Sequence, residues 1–341
     1  SAGGRSLPAG VVVMSASRPA GAGGGAGAGP GATPTTTTAA PGETATGPAA
    51  PSTTAPARAG KAFQIGLIGD TGYTAPEDLM LDKVIADMNR FPLAFVAHDG
   101  DIKDPPSQCT DERDEAVKAQ FNRSTAPFVY TPGDNEWMDC DNTGAYPNQS
   151  PMDADARLDE LRELFFHEDF SLGVNRLPLT TQRQAGYPEN ARWSKEGVVF
   201  ATINAPGPND NLWAKRESGP RRVANLAWLQ AAFDQAQSTD APAVMIIWQV
   251  DPWQPTFGVN DTPGYWGYLM DELKQRASAF GKPVVLVHGD THVYRIDNPW
   301  PDVPNFTRVE THALDDSINW IRATVDPSAP RVFTFANEHA G

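Results

Sequence analysis

Short apolar runs alternate along the chain with longer segments in which apolar residues recur at helical spacing. Continuous apolar runs are typical of strands in a sheet buried on both faces, and helical spacing is typical of amphipathic helices. The predicted strands are Phe63–Gly69, Leu93–Ala97, Phe128–Thr131, Val198–Asn204, Ala243–Trp248 and Val284–Val287. The predicted helices are a segment that begins near Pro76, then Asp111–Phe121, Asp153–Phe166, Arg222–Ala236 and Tyr265–Phe280.

The C-terminal part of the chain changes to strands without intervening helices. These strands are Val293–Ile296, Phe306–Glu310, Ile318–Val325 and Val332–Phe335. Strand–helix units followed by strands alone predict an α/β fold in which two sheets pack together with helices outside.

The first 61 residues differ in composition from the rest of the chain. They contain no Phe, Tyr, Trp or Asp and consist mostly of Ala, Gly, Pro, Thr and Ser. Such a segment buries too little apolar surface to offset its chain entropy. We therefore predict a disordered tail over residues 1–61 and a folded domain over residues 62–341.

Charge and hydrophobicity restrict the partners. The tail carries four basic residues and one acidic residue, a net of +3, so the rest of the −15 chain carries −18. This balance disfavours nucleic acid and anionic membranes as partners. No apolar run approaches the ~20 residues of a membrane span. The Thr- and Pro-rich tail favours export, so we expect an extracellular or periplasmic protein; no feature indicates a particular protein partner.

The two cysteines, Cys109 and Cys140, both fall in loops just after predicted strands. The sequence does not decide between a disulfide that joins them and two free thiols. A structural zinc site of four thiolates is excluded by the cysteine count.

Five of the apolar strands end in side chains that can bind a metal ion. The residues are Asp70; Asp101 and Asp104; Asp134, Asn135 and Glu136; Gln249 and Asp251; and His288, Asp290 and His292. A single Asp after a strand is usually a turn former or a helix cap. Five clusters in succession are harder to explain in that way, and ligands of α/β sheets bind beyond the carboxyl ends of the strands.

The order of these clusters resembles the five-block signature of the calcineurin-like metallophosphoesterases. The blocks here are Gly69–Gly72, Gly100–Asp104, Gly133–Glu136, Gln249–Pro252 and Gly289–His292. The resemblance implies a four-layer sandwich of two mixed β-sheets packed face to face and flanked by helices. It also implies a metal-dependent phosphoesterase that hydrolyses a small phosphorylated substrate, an ester or an anhydride, by attack of a metal-bound hydroxide.

Several blocks depart from the family pattern, mostly by replacing neutral ligands with carboxylates. Gly72 stands where the family has a ligating His, and the fourth block has no His, so Gln249 or Asp251 would substitute. The metal ligands implied by the resemblance are Asp70, Asp101, Asp134, Asp290 and His292, with Gln249 or Asp251. Oxygen ligands favour Mg²⁺, Mn²⁺ or Ca²⁺ over Zn²⁺, and we expect one or two ions.

The third block has Asn135 in place of the family's catalytic His, and an amide cannot donate that proton to a leaving group. Either the leaving group is a good one or another acid serves, with His98 and His288 as candidates. Asn135 and Lys103 are candidate contacts to the substrate phosphate. The structural alternatives are that the two histidines bind backbone groups and that Lys103 is a surface lysine.

Two other functions compete with the enzyme. A catalytically silent relative that binds a cation or phosphate is favoured by the loss of histidine at Gly72 and Asn135. A structural or adhesive exported protein is favoured by the stalk-like tail.

Overall fold

The computed structural model describes residues 60–140, 153–212, 214–253, 265–314 and 317–341. The predicted disordered tail lies outside the described residues, apart from Gly60 and Lys61.

Twelve strands form two mixed sheets within the described residues. They are β1 (Phe63–Ile68), β2 (Leu93–His98), β3 (Phe128–Tyr130), β4 (Thr180–Gln182), β5 (Tyr187–Lys195), β6 (Val198–Thr202), β7 (Val244–Ile247), β8 (Val284–His288), β9 (Arg295–Asp297), β10 (Phe306–Glu310), β11 (Asn319–Val325) and β12 (Phe333–His339). The smaller sheet has the order β12-β11-β1-β2-β3, and the larger has the order β4-β5-β6-β7-β8-β10-β9. The central strands are parallel in both sheets: β1 to β3 in one, and β6, β7, β8 and β10 in the other.

Five helices in the described part of the chain cover the outer faces of the sheets. They are α1 (Ala75–Met88), α2 (Asp111–Phe121), α3 (Ala154–Phe165), α4 (Lys215–Ser238) and α5 (Gly267–Phe280). Apolar residues of α1, α2 and α3 pack on the smaller sheet, and those of α4 and α5 pack on the larger one. A third apolar cluster fills the space between the sheets, with residues such as Leu67, Phe95, Phe200 and Val287. The predicted four-layer α/β sandwich is therefore confirmed.

None of the described helices combines the length and the apolar character needed to cross a bilayer.

One predicted helix start was wrong and two strands were missed, for identifiable reasons. Helix α4 begins seven residues before the predicted Arg222, because the buried Arg221 anchors its first turns to Asp210 and Glu217. Strands β4 and β5 were not predicted. Strand β4 has no fully buried position, and the buried positions of β5 include polar residues such as Glu189, whose carboxylate pairs with Arg162.

A disulfide joins Cys109 and Cys140, with their Cα atoms 5.7 Å apart. It links the loop that follows β2 to the short 3₁₀ turn Met138–Cys140 that follows β3. Both cysteines are buried. The bond therefore ties together two of the loops that carry the candidate site.

The Cys109→Ala/Cys140→Ala variant is expected to be less stable than the wild type by roughly 3–4 kcal/mol, because the open loop gains entropy on unfolding. Urea unfolding measures the difference. Dithiothreitol should lower the wild-type midpoint and leave that of the variant unchanged. Equal midpoints for the oxidised wild type and the variant would contradict this account.

Candidate metal centre

The candidate site forms where the carboxyl ends of the parallel strands of both sheets meet. Asp70, Asp101 and Asp134 follow β1, β2 and β3 of the smaller sheet. Gln249 follows β7 of the larger sheet, and Asp290 and His292 follow β8. The arrangement gathers residues from all five blocks, although the blocks are far apart along the chain.

Asp101 connects the second, third and fourth blocks. Its Oδ1 accepts a hydrogen bond from the backbone N–H of Asn135 (3.2 Å), and its Oδ2 accepts one from Gln249 Nε2 (3.0 Å). The amide orientation of Gln249 is set by its Oε1, which accepts from the backbone N–H of Gly207 at 2.6 Å. Gln249 therefore donates to Asp101 through Nε2. Its Oε1, the only side-chain atom that could bind a metal ion, is directed to Gly207.

Asp70 connects the first and fifth blocks. Its carboxylate accepts from the backbone N–H of Asp290, with N–O distances of 3.3 and 3.2 Å. The Nε2 of His292 lies 3.5 Å from Asp70 Oδ1. The side chain of His292 is 28% exposed, so it lies at the open side of the site.

Asp134 and Asp290 approach each other at Gly207. A Cβ atom placed on Gly207 would lie 3.2 Å from an Oδ1 atom of each carboxylate. Asp290 Oδ2 accepts from the backbone N–H of Asp251 at 3.0 Å, whereas Asp134 Oδ1 is buried without a hydrogen-bond partner. A buried carboxylate oxygen without a donor is unfavourable unless a cation or another donor reaches it.

Tyr73 lies at the centre of the site and was missed by the sequence analysis. Its hydroxyl is 3.2 Å from Asp70 Oδ1 and 3.3 Å from Asp101 Oδ2, and it accepts from Asn135 Nδ2 at 3.1 Å. His292 Nε2 lies 3.3 Å from the same hydroxyl. Since a phenol has a single proton, it can satisfy Asp70 or Asp101 but not both at once. The only sequence signal was its place one residue after the first block.

Burial raises the pKa values of the site carboxyls, and repulsion by neighbouring carboxylates adds to the effect at Asp101 and Asp290. Burial raises the pKa of Asp70 to about 6 and that of Asp290 to about 8. The pKa of Asp101 lies well above its usual range, first because of burial and then because of Asp134 and other nearby carboxylates. These groups repel one another in a medium that screens charge poorly. A divalent cation would relieve the repulsion, and the carboxylate-rich donor set fits Mg²⁺, Mn²⁺ or Ca²⁺.

The backbone at the site is held in an unusual conformation. Asp70, Asp101, Asp290 and His292 have φ values of 49°, 59°, 80° and 60°. Side chains other than glycine rarely adopt this left-handed region, at a cost of order 1–3 kcal/mol per residue. Strain that recurs at four site residues indicates that the fold positions these side chains for a purpose other than stability.

Two glycines leave room for the carboxylates. A Cβ atom on Gly289 would lie 2.2 Å from Asp70 Oδ2, and one on Gly133 would lie 1.9 Å from Asp101 Oδ1. Any side chain at either position would displace the neighbouring carboxylate. This is the physical reason that the third and fifth blocks begin with glycine.

His98 is built into the core beneath the site. Its Nδ1 accepts from the backbone N–H of Gly100 (3.1 Å), so its Nε2 carries the proton and donates to the Thr71 hydroxyl (2.8 Å). The ring is fully buried, with its centroid 5.0 Å from that of Phe121. Burial lowers the pKa of His98 to about 3, which leaves it neutral and unsuited to act as a general acid near neutral pH.

Lys103 and Asn135 hold loops together. The ammonium group of Lys103, 2% exposed at the residue level, donates to the backbone carbonyls of Asp104 (2.6 Å) and Asn135 (2.8 Å). Lys103 is thus neither a surface lysine nor directed to a substrate site. Both protons of Asn135 Nδ2 are engaged, by the Tyr73 hydroxyl and by the carbonyl of Lys103 at 3.0 Å.

The side chains of Asp251 and His288 belong to a different group from the other predicted ligands. Together with Glu310, they place one ligand atom each within 4.8 Å of one another. Burial lowers the pKa of His288 to about 4, so it is also a poor general acid. The predicted residues that meet around Tyr73 are therefore Asp70, Asp101, Asp134, Asn135, Gln249, Asp290 and His292.

A cavity of about 710 Å³ lies at the opposite ends of the strands, lined by residues such as Val285, Phe306 and Phe333. It shares no residue with the carboxylate site.

Comparison with known proteins places the fold. No protein-family model and no curated protein matches the sequence. A dimetal phosphatase from Danio rerio has a similar structure, with a TM-score of 0.51 over 82% of this chain and 96% of that chain, at 12% sequence identity. A purple acid phosphatase from yellow lupin (Lupinus luteus) seeds matches over 82% of this chain and 54% of that chain, with a TM-score of 0.45 and 12% identity.

The likeness to the Danio rerio dimetal phosphatase shows that the two chains share a fold. At 12% identity, it shows the fold alone.

The low pKa of His98 makes the stability of the folded protein depend on pH. Its pKa of about 3 in the folded state lies below the ordinary value of 6.5, so between these pH values the unfolded chain binds a proton that the folded chain does not. Wild-type stability should therefore fall more steeply than that of His98→Gln as the pH falls from 7 to 4, by up to about 3 kcal/mol. Urea unfolding at each pH measures this difference. Parallel stability curves for the two proteins would rule out a buried neutral imidazole.

Proposed function

We propose that this protein is a metal-dependent phosphoesterase that hydrolyses a phosphate ester or anhydride. The observation that supports this most directly is the meeting of four carboxylates at the strand ends of two sheets, those of the buried Asp70, Asp101 and Asp134 and that of the partly exposed Asp290. One of their oxygens, Asp134 Oδ1, has no hydrogen-bond partner. A fold rarely gathers so much like charge without a cation to balance it.

The proposed metal ligands are these four carboxylates and the imidazole of His292, which lies beside Asp70. Such a set would hold one or two ions of Mg²⁺, Mn²⁺ or Ca²⁺. A bound cation would supply Lewis acidity, which polarises a phosphoryl oxygen and makes water a better nucleophile. Without it, the carboxylates would repel the negatively charged phosphate, so substrate binding itself requires the metal.

The exposure of the site residues indicates the side from which a substrate approaches the site. Tyr73, Asp290 and His292 are the partly exposed members of the site, whereas Asp101 and Asn135 are buried. A phosphate group therefore enters on the side of Tyr73 and His292. Asn135 fixes the Tyr73 hydroxyl through its amide, so its proposed role is to position that hydroxyl rather than to bind the phosphate directly.

A catalytically silent binding protein is the second candidate, and one observation favours it. Both oxygens of Asp101 already accept hydrogen bonds from protein donors: Asn135, Gln249 and the Tyr73 hydroxyl. A carboxylate satisfied in this way has less need of a metal ion. In such a protein, the donors would have taken over the structural role of the cation.

The disulfide supports the proposed extracellular or periplasmic location, since such bonds persist in oxidising compartments. The net charge of −15 disfavours nucleic acid, and we propose a small phosphorylated molecule as the substrate.

The enzyme proposal predicts turnover of p-nitrophenyl phosphate or its bis ester in the presence of Mg²⁺, Mn²⁺ or Ca²⁺. Asp101→Asn should reduce the rate by roughly 100-fold or more, because it removes a charged ligand from the centre of the site. Asp271→Asn, at an exposed position of α5, is the matched control and should retain wild-type rates.

The outcomes separate the two candidates. Turnover that needs the metal and is lost in Asp101→Asn supports the enzyme. Calorimetric Mn²⁺ binding without turnover of either ester supports the silent binding protein. Turnover that is unchanged by chelators would contradict the proposed metal dependence.

A further inference from the structure

Asp251, His288 and Glu310 form a separate group of metal-binding side chains. His288 and Glu310 are paired across the adjacent strands β8 and β10, and Asp251 lies in the loop after β7. Alternation along β8 places His288 on the same side as Val284 and Leu286, which face the helices. The three residues are 2%, 0% and 0% exposed, and one ligand atom from each lies within 4.8 Å of the others.

The protonation of His288 can be assigned from its contacts. Its Nδ1 lies 2.9 Å from the backbone carbonyl of Gly289, and a carbonyl can only accept, so Nδ1 carries the proton. The lone pair is therefore on Nε2, which is buried and has no hydrogen-bond partner. Metal-binding histidines are typically fixed in this way, with the second ring nitrogen donating to a carbonyl or a carboxylate.

Each carboxylate is likewise held by one oxygen, with the other left without a hydrogen bond. Asp251 Oδ1 accepts from the backbone N–H of Trp253 at 2.9 Å, and Glu310 Oε1 accepts from that of Val293 at 2.9 Å and from the Thr291 hydroxyl. Asp251 Oδ2 and Glu310 Oε2 are buried and have no hydrogen-bond partner. All three side chains are thus oriented through one atom and have a second polar atom without a hydrogen-bond partner.

Nearby arginines do not remove this deficit. The Arg308 guanidinium is occupied by Asp297, through contacts of 2.8 and 2.5 Å, and its Nη1 stays 3.7 Å from Asp251 Oδ1. Arg295 Nε lies 2.7 Å from Glu310 Oε2 as an ion pair that is not aligned as a hydrogen bond. Three carboxylates therefore face two guanidinium groups, which leaves one net negative charge around a neutral imidazole.

We propose that Asp251, His288 and Glu310 hold a second cation, a Zn²⁺-type ion, outside the carboxylate centre. One imidazole nitrogen with two carboxylate oxygens is a donor set suited to Zn²⁺ and similar transition metals, in contrast to the oxygen-rich set around Tyr73. The proposed ligand atoms are His288 Nε2, Asp251 Oδ2 and Glu310 Oε2, which have no hydrogen-bond partner.

The second site is joined to the first through the backbone. The N–H of Asp251 donates to Asp290 Oδ2 at 3.0 Å, and His288 precedes Gly289 and Asp290 directly. An ion held by Asp251 and His288 thus fixes both segments that position the Asp290 carboxylate. Its role is to stabilise these segments, whether or not the carboxylate centre is catalytic.

Equilibrium dialysis of the full chain, freed of metal with a chelator and then exposed to Zn²⁺, tests the proposal. Glu310→Gln keeps an oxygen to accept from Val293 but removes the charge, and Asp251→Asn is similarly conservative. Both variants should bind the Zn²⁺ of this site at least ~100-fold more weakly than the wild type. Asp101→Asn, which alters the carboxylate centre, should retain it.

Equal Zn²⁺ affinity and stoichiometry in the wild type and in Glu310→Gln would overturn the proposal. So would loss of all Zn²⁺ binding in Asp101→Asn, since the ion would then belong to the carboxylate centre. Failure of the phosphoesterase assays, by contrast, leaves these binding results unaffected.

Histidine ¹⁵N NMR on the wild-type protein provides a measurement that needs no folded variant. Adding Zn²⁺ should shift the His288 Nε2 signal while Nδ1 keeps its proton. The competing arrangement is a protonated Asp251 or Glu310 that donates to Nε2. A His288 signal unchanged by Zn²⁺ would overturn the proposal and favour that arrangement.

Discussion

Placing several carboxylates in the cleft between two sheets is the constraint on which the rest of the site depends. Burial raises the pKa values of Asp70, Asp101, Asp134 and Asp290, and repulsion by neighbouring carboxylates raises those of Asp101, Asp134 and Asp290 further. The fold nevertheless fixes them, through glycines that make room and through strained backbone at three of the four. The disulfide adds a covalent link between the loops after β2 and β3. Together these features favour a site that is completed by a cation.

Much of the fold could be predicted because its central strands are buried on both faces. Such strands appear in the sequence as continuous apolar runs, and those of β1, β2 and β8 match the structure to within a residue or so. Continuous apolar runs are absent where buried positions are polar. In strand β5, the buried Glu189 and Asn190 are hydrogen-bonded to side chains from other elements. The first turns of α4 contain Gly219 and Pro220, which do not predict a helix. Both elements are therefore evident only from the tertiary contacts.

The site was predictable in its location more than in its contacts. Parallel strands end at one edge, so clusters after successive strands meet there whatever their identity. Tyr73 could not be found in this way, because only tertiary folding brings its hydroxyl between Asp70 and Asp101. The period-2 alternation of β8 could have shown that His288 faces away from Asp101, towards the end of β10 and Glu310. One set of strand ends thus supports two groups of ligands, one on each side of the larger sheet.

Anomalous diffraction at the manganese edge, from crystals soaked in Mn²⁺, tests the central claim most directly. The account predicts a peak among the carboxylates of Asp70, Asp101, Asp134 and Asp290, close to the unpaired oxygen of Asp134. A map without density there, in which Gln249 and Tyr73 still donate to Asp101, would contradict it. The carboxylates would then be held by protein donors alone.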